Sequence, residues 1–453
     1  MQKSKRERVI IGMDGGIDSA VTALLLKKQG YDCIGVNISF FERVTQEDED
    51  FVTNFKTKLT PEGRIPDELA DDEEMKEGLR RFEKIKWVRR INHIFKDWFC
   101  APQEQIKDIC RLIGIPFYVT NASSEFEDRV ISLMLKSRFA GIWQNPSLDR
   151  ATLIFDILNS KLEALKATKI ATGHYCKVIA NHGQFGLVRP NDPNENDCHL
   201  LSNLSQESLS RLLLPIADLN TSEVDRIGAL VSANSFTREK LKAKKKARAQ
   251  TYQSDELCDL YPRYVAPKFI RESNIYDHSN DNVVGAHDAH FRYHLGQTHY
   301  KTKEGNPRVP DSQIVVISMS RGHIFIAKNK ELEFERIICH HFENFNVVDT
   351  AKPLECYGSL LSNGNTFKGT LYLLNNGNIF FDLEDKKNGI VFRGDTIMFF
   401  LKDAPSAKAI GHAKVYQSGH FVDGQFYMLP LSKREKEELE ETQALPKKRE
   451  IGF

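Results

Sequence analysis

The sequence predicts an α/β protein: a doubly wound parallel sheet, then a small central domain, then a C-terminal antiparallel β-barrel. Three observations carry this reading. The apolar run Val9-Ile10-Ile11 ends in a glycine-rich turn, and an apolar-periodic helical pattern follows at once over residues 19 to 29. A second apolar run, Asp32-Cys33-Ile34-Gly35-Val36-Asn37-Ile38, gives the strand–helix–strand spacing of a parallel sheet. From about residue 313 the pattern changes to short apolar strands split by Asn363-Gly364, Asn376-Gly377 and Gly394-Asp395, which are antiparallel turn signals.

At 453 residues the chain exceeds what one hydrophobic core supports. The expected division is a nucleotide-binding domain over 1–262 with an insertion at 43–98, a central domain over 263–345, a barrel over 346–432 and a charged tail over 433–453. A net charge of +1 confines any nucleic-acid surface to a local patch. The N-terminal segment Met-Gln-Lys-Ser-Lys-Arg-Glu-Arg lacks the apolar region of a secretory signal, and no run approaches the ~20 apolar residues of a membrane span. The eight cysteines are dispersed without a Cys-x-x-Cys pair, against a zinc ribbon or disulfide framework and in keeping with a reducing compartment; the cytoplasm is the expected location.

The elements follow in order. Residues 43 to 76 are acidic and polar and read as a solvated, mobile insertion. Gly78 through Phe99 is basic and aromatic with helical periodicity; it either faces RNA or docks its Phe82, Ile85, Trp87, Ile91 and Phe95 side on the domain. A helix over Gln103 to Leu112 leads into a strand at Ile113–Val119, and helices are expected over about 125–141 and 150–167. The strand Lys169-Ile170-Ala171-Thr172 ends in Gly173-His174-Tyr175, and residues 238 to 250 form a cationic run.

The turn Gly12-Met13-Asp14-Gly15-Gly16-Ile17-Asp18-Ser19 carries the chemistry. A glycine turn entering a helix aims backbone N–H groups and the positive helix end at a phosphate, and Gly15 and Gly16 permit close approach. It is neither a Walker A loop nor G-x-G-x-x-G. The competing reading is an ordinary strand–turn–helix junction. The turn resembles the pyrophosphate-binding loop Ser-Gly-Gly-x-Asp-Ser of the ATP pyrophosphatases, with Asp14 in place of the first serine. A carboxylate there repels a triphosphate by about 1 kcal/mol or more.

Further segments, in order, resemble one family, the tRNA-specific 2-thiouridylases. They are Leu112-Ile113-Gly114-Ile115-Pro116, Asn145-Pro146, Ala171-Thr172-Gly173-His174-Tyr175, Leu204 through Arg211 with Leu214-Pro215, Ser254-Asp255-Glu256-Leu257-Cys258, and Gly285-Ala286-His287-Asp288 through Gln297. The resemblance implies that ATP adenylates a tRNA wobble uracil and that a cysteine persulfide then supplies sulfur. It implies that Gly12, Met13, Asp14, Gly15, Gly16, Ile17, Asp18, Ser19, Ile38 and Gly173 hold ATP, with Mg²⁺ assisting. By the same resemblance Asn145, Pro146, His174, Asn196 and Asp197 meet the RNA, Cys258 accepts sulfur, and a sulfur-relay protein is a candidate partner. For Gly173, His174 and Cys258 the structural alternatives are a turn, a hydrogen-bonded strand end and a buried small apolar group.

The departures concentrate on the chemistry. The family's first catalytic cysteine follows its Asn-Pro, whereas here Asn145-Pro146-Ser147-Leu148-Asp149-Arg150 puts Asp149 or Arg150 in that place. No cysteine occurs from 111 to 175, and Asn196-Asp197-Cys198 replaces the RNA-contacting Lys-Asp-Gln. Cys176 and Cys198 are candidate substitute thiols. The expected function is ATP-dependent wobble-uridine 2-thiolation. The rivals are a catalytically impaired paralogue acting as an RNA- or protein-binding module, and an adenylating enzyme that uses another nucleophile.

Overall fold

The architecture is read from a computed structural model that describes residues 6–98, 101–181, 183–231, 255–264, 271–300, 309–318, 321–345, 352–374, 376–389, 391–422 and 425–429. The cationic run at 238–250 and the tail from 433 lie outside the described residues.

Strand β1 (Arg8–Gly12) is the centre of the first domain. Its Val9, Ile10 and Ile11 are fully buried, with Ile10 in the core on one face and Val9 and Ile11 in the core on the other. A strand buried on both faces reads as a continuous apolar run, as this one does. Helix α1 (Ile17–Lys28) follows directly and buries Ala20, Val21, Ala23 and Leu26. Strand β2 (Asp32–Ser39) returns parallel to β1, pairing Ile10 with Ile34.

The acidic insertion is built rather than loose. Helices α2 (Gln46–Lys56) and α3 (Glu73–Ile94) pack around their own small core of Val52, Phe55, Met75, Phe82 and Ile85. Apolar side chains spaced through the acidic stretch supply that core, and charge density alone concealed them. The cations of α3 are largely engaged: Arg81 pairs with Asp48 and Arg89 with Glu49. This is the docked arrangement of the two readings considered for the basic helix.

Helix α4 (Gln103–Ile113) ends at Gly114 in the left-handed region, φ 78°, and leads to β3 (Phe117–Asn121) on the sheet edge. Helix α5 (Ser132–Phe139) follows a π-helical turn at Glu127–Ile131. Helix α6 (Pro146–Ser160) has Asn145 as its N-cap, accepting from Ser147 N at 2.9 Å, and Pro146 in its first turn, where a missing N–H costs nothing. Strand β4 (Lys169–Ala171) pairs parallel with β1, the hairpin β5 (Lys177–Asn181) and β6 (Gln184–Val188) follows, and β7 (Leu212–Leu213) completes the order β3-β2-β1-β4-β7. The chain reverses direction of winding between β1 and β4, and ligands of open α/β sheets bind outside the strand ends at such a switch point.

Strands β8 (Ser273–Asp277), β9 (Val283–His287), β10 (Ser312–Ile317) and β11 (Ile324–Lys328) form a separate four-stranded sheet. The strands just after residue 313 therefore belong to the central sheet rather than to the barrel. The barrel opens earlier than 346, with β12 (Glu333–Asn344), and continues through β13 (Leu354–Leu360), β14 (Thr366–Leu373), β15 (Ile379–Asn388), β16 (Thr396–Phe400) and β17 (Ala409–Val422). Because β12 pairs with both β15 and β17, six strands close on themselves and leave no free edge, while β18 (Gln425–Leu429) hangs on β17. On the strand face opposite the barrel core, Arg336 and Asp382 form a buried ion pair, Nη2 to Oδ2 at 2.8 Å.

The barrel docks on the first domain next to α6. Trp143 N donates to Arg393 O at 2.8 Å and the Trp143 ring stacks on Phe392 at 6.2 Å. On the other side Arg189 pairs with Asp403 at 2.6 Å.

Candidate functional site

A cavity of 340 Å³ lies at the switch point, within the usual range of small-molecule sites. Five segments build it: the turn after β1, the end of β2 with Phe40, the start of α6, the segment following β4 and the segment following β6. Leu361 from the barrel closes one side. Gly12, Met13, Asp14, Gly16, Asp18, Ser19, Ile38 and Gly173 face it, as do Asn145, His174, Asn196 and Asp197. Among the singled-out residues, Gly15, Ile17, Pro146, Cys176, Cys198 and Cys258 do not line it.

Their own contacts explain why. Gly15 holds φ +80° with its Cα turned onto Ala101, where a Cβ would sit 2.4 Å from the alanine methyl. Ile17 packs with Val21, Tyr175, Ile216 and Val224 behind α1. Pro146 is buried in the first turn of α6. Gly173 owes its identity to space, since a Cβ there would lie 2.7 Å from the Asp18 carbonyl carbon and 2.8 Å from Ser19 N.

Asp14 governs the electrostatics. Its Oδ1 accepts from Gly16 N at 2.9 Å and from Ser19 Oγ at 2.6 Å. Those are donors that a phosphate in this turn would take, so the carboxylate fills the hollow at the positive end of α1 from within the chain. A phosphate in this turn would have to displace the carboxylate from those two donors. Asp18 accepts from the Tyr175 hydroxyl at 2.9 Å, and Asp197 accepts from Tyr175 N at 2.9 Å. His174 Nδ1 lies 2.8 Å from Thr172 Oγ1. Buried His199 donates from Nε2 to Ser359 O at 3.1 Å, and its burial pushes it down to about 4, so the ring is neutral.

The two positions in the place of the absent cysteine diverge. Asp149 turns away from the cavity, accepting from Gln144 Nε2 at 2.7 Å, and burial raises its carboxyl to about 6. Arg150 lines the cavity with its guanidinium carbon 5.3 Å from the centre of the Phe40 ring. Cys258 is half-buried in a different cavity, with Arg292, Tyr293 and Tyr300, and takes a 3.9 Å contact from Arg138 Nη2. Cys176 and Cys198 are fully buried with their Sγ atoms 3.1 Å apart, and burial raises the Cys176 thiol well above its ordinary value.

The signature of the tRNA methyl transferase HUP domain matches residues 7–69 and 84–248. A tRNA-specific 2-thiouridylase MnmA of Clostridium acetobutylicum is 25% identical over 405 residues, covering 87% of this chain and 96% of the relative. A second protein of that name, MnmA 1 of Geobacillus kaustophilus, is 26% identical over 416 residues, covering 90% and 95%.

The chain is a divergent member of the tRNA-specific 2-thiouridylase family.

A solved structure titled as a predicted subunit of tRNA methyltransferase from Methanocaldococcus jannaschii is 13% identical, covers 49% of this chain and 74% of its own, and superposes with a TM-score of 0.24, too low to bear on the argument. Family membership, the parallel-sheet domain and the terminal barrel were legible in the ordered motifs. Asn37, Phe40, Thr172 and Leu361, which also line the site, were not singled out. The first three border segments that were, and position next to a strand end was the signal available. Leu361 comes from a barrel turn more than 340 residues after the glycine turn, and nothing local to it pointed to the cavity.

Proposed function

We propose that this protein binds tRNA, as its family's name implies, without carrying out ATP-dependent 2-thiolation of the wobble uridine. One observation carries the reading: the Asp14 carboxylate sits on Gly16 N and Ser19 Oγ, where the phosphates of ATP would be held. The cysteine arrangement supports it. Asp149 or Arg150 stands in the place of the first catalytic cysteine, Cys258 belongs to another cavity, and the Cys176–Cys198 pair is enclosed. Without adenylation the uracil oxygen is not activated as a leaving group, and without a second accessible thiol among the described residues a persulfide on Cys258 has no partner to release its sulfur.

The setting is taken to be the cytoplasm, where tRNA is at hand. Among the described residues no helix is long and apolar enough to cross a membrane. The test combines two measurements on the full chain. Gel-shift binding to tRNA is expected, together with no uridine-dependent pyrophosphate release from Mg-ATP. Pyrophosphate release, or loss of 2-thiouridine from the wobble position when the gene is deleted, overturns the proposal.

The second reading is thiolation with ATP, Mg²⁺ and a sulfur-relay donor. It is favoured by the retention of Gly12, Gly16, Asp18, Ser19 and Gly173 around the cavity and by the half-buried Cys258. It requires Asp14 to leave its two donors before the nucleotide enters.

A further inference from the structure

The cavity carries a second charge that the family pattern does not supply. Arg150 sits on the wall opposite in sequence origin to the glycine turn, one helical turn after Ser147, which also faces the cavity. Among the described residues it has no carboxylate or carbonyl partner, and its Nε is buried without a hydrogen bond. The Phe40 ring supports the guanidinium, and a guanidinium held on a ring face keeps its in-plane N–H donors for an anion.

The carboxylates of the cavity do not fill that need. Asp14 is committed to Gly16 N and Ser19 Oγ, Asp18 to the Tyr175 hydroxyl, and Asp197 to Tyr175 N. They cluster around the start of α1 and the segment packed on it, and so repel a polyphosphate from that end. Val36, Ile38 and Ile154 give the cavity an apolar side suited to a base.

We infer that the cavity binds a free nucleoside 5′-monophosphate, with its single phosphate on Arg150 and its base against the apolar side, and discriminates against the triphosphate. Asp14 supplies the exclusion and Arg150 the recognition. This assignment rests on the reading above that the glycine turn refuses ATP phosphates, but it requires neither tRNA nor any adenylation step.

The test is calorimetric binding of AMP, adenosine and Mg-ATP to the full chain without tRNA. AMP is expected to bind at least tenfold more tightly than either adenosine or Mg-ATP. Arg150→Gln is expected to weaken AMP by about tenfold to a hundredfold, the range of a lost charged hydrogen bond, while leaving adenosine unchanged. Arg150→Lys, which keeps the charge but loses the fork, falls between. Equal binding of AMP and adenosine, tighter binding of Mg-ATP than AMP, or equal loss of AMP and adenosine in Arg150→Gln each overturns the inference. Because these measurements omit tRNA and pyrophosphate, their failure leaves the result of the tRNA and pyrophosphate assays separately readable.

Discussion

Asp14→Ser takes the carboxylate out of the hollow at the start of α1 and restores the residue type of the pyrophosphate-binding loop. Two consequences follow with opposite signs. The first is a loss of stability, because the carboxylate takes bonds of 2.9 Å from Gly16 N and 2.6 Å from Ser19 Oγ. A charged hydrogen bond contributes about 1.5–3 kcal/mol, but the site is only partly buried and a serine hydroxyl can recover one bond. The net cost is expected to resemble removal of a helix cap, about 1–2 kcal/mol. The second consequence is a gain in affinity for ATP. Unit charges about 4 Å apart repel by about 1 kcal/mol in water and about 4 kcal/mol at a partly screened protein surface. Lifting that repulsion and freeing two donors predicts about a tenfold to hundredfold increase in ATP binding. Urea unfolding measures the first effect and isothermal titration with Mg-ATP the second, both on the purified full chain. If Asp14→Ser loses the expected stability yet binds ATP no better than the parent, the carboxylate is not what excludes the triphosphate, and the reasoning fails at its base.

Three other perturbations probe the surroundings of the site. Gly173→Ala places a methyl 2.7 to 2.9 Å from atoms of Asp18 and Ser19, so a destabilisation of about 1–3 kcal/mol and a loss of nucleotide affinity are expected; unchanged thermal unfolding would show that the two segments separate freely. Asp382→Ala removes the carboxylate that takes two bonds from buried Arg336 and should cost about 3–5 kcal/mol in denaturant unfolding, whereas a loss below about 1 kcal/mol would mean that water or another group takes its place. Asp395, buried beside Lys414 and bonded to Ser362 N and Thr396 N, is pushed by burial up to about 7, so the folded chain holds its proton while the unfolded chain releases it near 3.8. Stability from this group is therefore greatest below about pH 4 and falls as pH rises to about 7; Asp395→Asn should flatten that slope, and an identical pH profile for both chains in urea titrations refutes the assignment.

The sequence by itself determined the architecture, because local pattern encodes it. Val9-Ile10-Ile11 reads as a strand buried on both faces, and the Asn-Gly turns at 363 and 376 split antiparallel strands; Gly114, read as part of a strand, instead ends a helix at positive φ. The same local reading mistook the acidic stretch for a loose segment, since the pairing of Val52 and Phe55 with Met75, Phe82 and Ile85 is made across a turn and not along the chain. It also set the barrel to begin too late, because β12 belongs to the barrel through its partners β15 and β17, which lie 40 or more residues onward. What only the tertiary structure decided is which way charged side chains point. Sequence placed Asp14 at the mouth of the glycine turn and left Asp149 and Arg150 equivalent at the missing cysteine. Packing turned Asp14 onto Gly16 and Ser19, sent Asp149 toward Gln144 and the barrel, and held Arg150 over Phe40 at the cavity. The physical reason is that a carboxylate or guanidinium settles where its donors, acceptors and solvent access are best, and those are supplied by segments that meet only when the chain has folded.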